Sequence, residues 1–117
     1  MSHLRCFTVV MLLAACGGSP KPEARMASSE GAIRGAQEAG AGSVPAATLH
    51  LKLAQEQRDQ ALRLVQSGDN HRADMLLARA EADAELAVAL ARAANAKAEA
   101  DKAVEMVDEL KQKRGGQ

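Results

Sequence analysis

From residue 70 to residue 114 the apolar positions recur by alternating steps of four and three. One stripe reads Ala73, Leu77, Ala80, Ala84, Ala87, Ala91, Ala94 and Ala98. A second reads Ala82, Leu86, Ala89, Ala93, Ala96, Ala100, Ala103, Val107 and Leu110. That alternation predicts a helix carrying seams for other helices. The 45 residues hold neither Gly nor Pro, and 32 of them are Ala, Glu, Lys, Leu or Arg. That share exceeds the roughly half that marks a long helix or coiled coil. Such a helix is about 67 Å long at 1.5 Å per residue. Alanine in a seam lets two backbones approach towards the short end of the usual spacing, about 8 Å.

Two shorter periodic segments precede it. Residues 45–66 place Leu51, Ala54, Ala61, Leu62 and Val65 on one face, with Arg58 interrupting it as a snorkelling edge residue. Pro45 suits the first helical position, where its missing N–H costs nothing. Residues 23–39 bring Met26, Ile33 and Ala36 together, but Gly31 and Gly35 each weaken a helix by about 1 kcal/mol relative to Ala. Those glycines read either as thin spots or as sites of close helix approach. Between the two segments, residues 40–44 read as a loop. Ser67-Gly68-Asp69 is the clearest turn: Gly68 suits a left-handed helix end and Asp69 suits an N-cap. A link this short folds two helices into an antiparallel hairpin. The predicted architecture is all-α: an antiparallel helical hairpin with a short extra N-terminal helix and a long alanine-rich C-terminal helix, as a partial three-helix bundle or coiled coil. The middle helix is about half as long as the last, so residues 93–114 project without an internal partner. Two readings of that projection stay open: a solvated extension braced by pairs such as Glu109–Lys113, or a surface for a second copy or another protein.

Composition narrows the picture. Of 117 residues 26 are alanine, one is aromatic (Phe7), and 15 basic residues balance 15 acidic ones. Without aromatic platforms or net positive charge, nucleic acid is not an expected partner. Few large apolar residues argue for disorder. Long unbroken helix-forming sequence argues the other way, because it exceeds the roughly 12–15 residues at which isolated helices become viable. One small helical domain over 23–114 and a disordered tail at 115–117 are expected.

The first residues read as an address. Arg5 precedes an apolar run from Cys6 to Leu13, and small residues lead to Cys16. That is the form of a secretory signal over residues 1–15, too short for a membrane span of about 20 residues. Leu13-Ala14-Ala15-Cys16 resembles the lipobox of bacterial lipoproteins. The resemblance implies a diacylglycerol on the Cys16 thiol and an acyl chain on its freed amine. Residues 16–22 then form the lipidated Cys and a flexible tether, in which two prolines and two glycines prevent a helix. Gly17 stands where inner-membrane lipoproteins often carry Asp. The resemblance therefore implies the periplasm-facing side of an outer membrane.

Candidate chemistry is sparse. His71 and Asp74 share a helical face, but two ligands fall short of a metal site, which takes three or four. Gly40-x-Gly42-Ser43 lacks the Lys and the spacing of a phosphate loop, and no G-x-S-x-G occurs. The sequence therefore predicts no catalytic residues, no metal, no small-molecule substrate and no cofactor beyond the covalent lipid. The residues expected to act are Cys16 as anchor, Gly68 and Asp69 as the turn, and the seam Ala73–Ala98.

The Ala32-Ile33 opening, Pro45 before a helix, the Gly68-Asp69 turn and the alanine-rich run 73–103 together resemble the bacterial lipoprotein family known as domain of unknown function 4398. Val44 stands where an aromatic residue is associated with that family. The resemblance implies an envelope lipoprotein and supplies no activity. Members are sometimes joined to a peptidoglycan-binding domain, and none is expected after Gln117. The expected function is a lipid-anchored envelope scaffold or adaptor, with a membrane partner through the lipid and a protein partner or self-association through the long helix. A periplasmic holdase or assembly factor, or an accessory subunit of an envelope enzyme, are the alternatives.

Overall fold

The computed structural model describes residues 18–116. Three helices account for most of them: α1 (Glu23–Glu38), α2 (Pro45–Gln66) and α3 (Asn70–Gly115), with a single 3-10 turn at Ala41–Ser43. The long helix runs through Gly115, where the sequence predicts a disordered tail; Gly116 closes it, and Gln117 lies outside the described residues.

Each turn has a local cause. At the end of α2, Gly68 takes φ 84°. Its N–H donates to the Val65 carbonyl at 3.1 Å, and the Asp69 N–H donates to the Leu64 carbonyl at 2.9 Å. That pair of bonds is the Schellman closure of a helix C-terminus. One residue on, the Asp69 carboxylate accepts the Arg72 N–H at 3.3 Å and starts α3. The two helices therefore meet with no loop to spare and form the predicted hairpin.

The connection from α1 to α2 is more ordered than a plain loop. Gly40 takes φ 81° and its N–H donates to the Gln37 carbonyl at 3.0 Å. The chain then makes the 3-10 turn and tucks Ala41 fully into the core. Thr48 ties this turn down, its hydroxyl donating to the carbonyls of Ala41 (2.9 Å) and Val44 (3.0 Å). Val44 is extended at φ −112°, as the residue before a proline must be, and Pro45 opens α2.

Polar contacts between helices give their directions. Near the start of both helices, Arg25 on α1 pairs with Asp74 (3.6 Å) and Glu81 (3.2 Å) on α3. Near the far end of α1, the Asn95 amide comes within 3.5 Å of the Ala39 carbonyl oxygen. So α1 runs parallel to α3, and α2 runs antiparallel to both.

Alanine makes the core. Of the thirteen fully or nearly buried apolar residues among those described, ten are alanine; the others are Ile33, Leu51 and Leu77. Leu77 is the largest side chain that is wholly enclosed. It sits with Ala61 and Ala73 near the turn end, walled by Met26, Leu64, Val65 and Leu76. A longer cluster, centred on Ile33, Leu51, Ala84 and Ala87, fills the rest of the bundle up to Ala91. Each buried methyl stabilises by less than about 1 kcal/mol, so the bundle depends on many shallow layers.

Gly31 and Gly35 have open space where a Cβ would stand. They are therefore thin spots in α1 and do not mark a close helix approach.

Candidate protein-interaction surface

The two stripes of α3 have different fates. Ala73, Leu77, Ala80, Ala84, Ala87 and Ala91 are completely buried against α1 and α2. The seam expected to continue through Ala98 stops there: Ala94 is half-buried and Ala98 is exposed. The reason is geometric. The 3-10 turn and the start of α2 pack with the last buried layer at Ala91, and among the described residues none is buried against α3 beyond it.

The second stripe is exposed along its whole length, from Ala82 to Leu110. Two positions of offset on an α-helix amount to about 200°, so this stripe points away from the bundle. Leu86 is its largest side chain alongside the bundle, and it is exposed. Past the bundle the stripe widens. Val104 and Met106 flank Val107 and Leu110, with exposures of 60%, 59%, 48% and 60%. Large apolar side chains this open on one helix face are the clearest interaction feature of the described residues. Their charged neighbours are partly self-neutralised: Lys97 pairs with Asp101 at 2.9 Å and Lys111 with Asp108 at 3.7 Å. The expected Glu109–Lys113 pair does not form among the described residues; the ion pair nearest that end of α3 joins Lys111 to Asp108.

Polar side chains on the bundle act as clamps. Arg58, read from sequence as a snorkelling edge residue, reaches Glu30 on α1 at 2.8 Å and Asp59 at 2.8 Å. The hydrogen bond to Glu30 raises its pKa above the ordinary arginine value, with Asp59 adding to the effect and burial opposing it. Arg25 is raised likewise, first by its hydrogen bond to Glu81 and then by the charge of Asp74. Across α2 and α3, Asp83 takes His50 Nδ1 on one oxygen at 2.9 Å and the Gln57 amide on the other at 2.7 Å. The sequence offered no register between α2 and α3 from which to find that set. It holds no nucleophile and no second carboxylate, so its chemistry is orientation of the two helices. His71 is exposed, and its neighbour Asp74 turns to Arg25.

Among the described residues no three His, Cys, Asp or Glu side chains are grouped to hold a metal ion. No described helix is long and apolar enough to cross a membrane. A shallow groove of about 210 Å³ lies between α2 and α3 beside Gln60, Arg72, Met75, Leu76 and Arg79. The segment before α1 also has a defined place. The Asn70 amide donates to the Ser19 carbonyl at 2.6 Å, and residues 19–22 lie over Asn70, His71 and Asp74. Cys16 and the signal-like residues 1–15 fall outside the described residues.

The fold and its surface define an alanine-packed helical bundle from which one helix projects with an unpartnered apolar face. The chain belongs to the family described as Domain of unknown function (DUF4398), whose model matches residues 24–103. That span covers α1, α2 and the packed part of α3, and ends inside the projection. No curated protein matches the chain, and no solved structure matches it.

Proposed function

We propose that the protein is a non-enzymatic, lipid-anchored scaffold or adaptor of a bacterial envelope, held on the periplasmic face of the outer membrane through Cys16. The observation that carries the reading is the lipobox-like Leu13-Ala14-Ala15-Cys16 at the exit of a signal-like run, followed by a bundle with an unpartnered projecting helix. One acyl chain holds a protein to a bilayer weakly, and two or three hold it firmly. The Ser19–Asn70 hydrogen bond supports an orientation for the anchored form. The chain leaves the bundle beside the α2–α3 turn, so the exposed end of α3 lies farthest from the lipid. The 21 residues from Asn95 to Gly115 carry the apolar face about 31 Å beyond the packed layers. An adaptor needs those two parts, a fixed root and a reachable surface, and it needs no reacting groups.

The test is substitution of Cys16 by Ser in cells fed a labelled fatty acid. The variant is expected to lose the label and to leave the membrane fraction. Continued labelling, or unchanged membrane retention of an unlabelled chain, refutes the anchor.

A further inference from the structure

We propose that the projecting end of α3 binds a second copy of the same chain, antiparallel, over residues 97–113. This names the partner of the adaptor surface. It rests on the adaptor reading for that surface and does not require the lipid.

The register follows from side-chain size. Along the exposed stripe small and large residues are segregated: Ala100 and Ala103 come first, Val107 and Leu110 last. Laid parallel and in register, two copies would stack alanine on alanine and leave gaps beside the Val and Leu layers. Laid antiparallel about an axis at the level of Glu105, each Leu110 meets the partner's Ala100 and each Val107 meets the partner's Ala103. Large against small in every layer is the arrangement that fills a two-helix seam without voids. The flanking residues Val104 and Met106 then meet their own copies across the axis. The four most exposed large apolar side chains of the projection are all covered in this one register.

Charge agrees with size. In this register Glu99 lies opposite the partner's Lys113, twice by symmetry. Neither residue has an ion-pair partner within its own chain among the described residues, whereas Lys97 and Lys111 do. Those two lysines face each other across the other edge of the seam, already neutralised by Asp101 and Asp108. In a parallel pair Glu99 would instead face the partner's Val104 and gain no ion pair.

The experiment uses the full chain in detergent, with single cysteines introduced at exposed positions of the projection and a short bis-maleimide cross-linker. Val104→Cys is expected to give covalent dimers; Lys97→Cys is not, since its counterpart in this register is Lys111. The unsubstituted chain measures any background from Cys6 and Cys16. In the Val104→Cys chain, adding Glu99→Lys or Lys113→Glu alone is expected to lower dimer yield roughly tenfold, by turning two attractive pairs into two repulsive ones. Mixing the two charge variants is expected to restore it, because each then faces an opposite charge at both sites. Cross-linking at both 97 and 104 means a parallel pair and overturns the proposal. Cross-linking at 97 alone means a different overlap and overturns it too. Absence of Val104→Cys dimers overturns it, and leaves the face to a different protein. Fatty-acid labelling of the same samples reports on the anchor separately.

Discussion

The two halves of α3 share a helical conformation and little else: residues 70–94 hold ten alanines and no lysine, residues 95–115 four alanines and four lysines. Residues 70–94 lie in a bundle, with six of their stripe positions sealed from solvent; residues 96–115 are exposed throughout. Both halves stay helical because alanine, glutamate, lysine and arginine favour the helix without tertiary help. What differs is the role of alanine. In the first half a methyl group is a contact that holds three helices at short range. In the second it is a propensity device, and the large apolar side chains stand open to solvent. Helix formation and burial are therefore separate properties of this chain, and identical residues report on the first but not on the second.

That contrast can be broken by putting the same substitution in both halves. Ala87→Glu places a carboxylate in a sealed cluster of apolar side chains, at an expected cost of about 3 kcal/mol or more. Ala98→Glu lies in the same stripe two layers beyond the last buried one and is expected to change stability by less than about 0.5 kcal/mol. Thermal melts followed by circular dichroism compare the two directly. Equal losses would mean that the Ala94–Ala98 stripe of the projection is packed in solution.

Leucine truncation sharpens the comparison. Leu77→Ala removes the largest enclosed side chain and is expected to cost about 2–5 kcal/mol, whereas Leu110→Ala is expected to leave the bundle's melting midpoint in place. Removing the shared carboxylate by Asp83→Ala unpairs His50 and Gln57 together, with an expected loss of about 1–3 kcal/mol in a denaturant titration. The smallest effect is a gain. Gly31→Ala and Gly35→Ala meet open space, and each is expected to stabilise α1 by about 1 kcal/mol. For the monomer, at concentrations below any self-association, amide hydrogen exchange gives a residue-level form of the same contrast: slow between Ala73 and Ala91, faster from Asn95 onward.

Much of the architecture is legible in the sequence because its punctuation is unambiguous. Pro45, Gly68 and Asp69 each have one favourable use, and the structure employs them for it. The two stripes of α3 are equally plain, yet nothing in them shows which one faces inward. Alanine is compatible with water and with burial alike, and the outward stripe is the one that carries the larger Leu86, Val107 and Leu110. The choice is made by the hairpin, whose tight turn fixes the face of α3 that α2 meets. The clamps were hidden for the same reason. Arg58–Glu30, Arg25–Glu81 and His50–Asp83 join residues 28, 56 and 33 positions apart, so they depend on a register that no local pattern encodes. The turn at Ala41–Ser43 was hidden differently. Its glycines signal a loop, and it takes the Thr48 hydroxyl, from the following helix, to order it.

Because α1 lies parallel to α3, the segment before α1 and the first residue of α3 share one end of the molecule, joined at Ser19 and Asn70. Span and stability are thereby set by different residues. Inserting or deleting one heptad beyond Asn95 would lengthen or shorten the molecule by about 10.5 Å while preserving the helical phase of the outer stripe. The chain behaves as a gauge whose scale can be re-cut at one end without loosening its mount at the other.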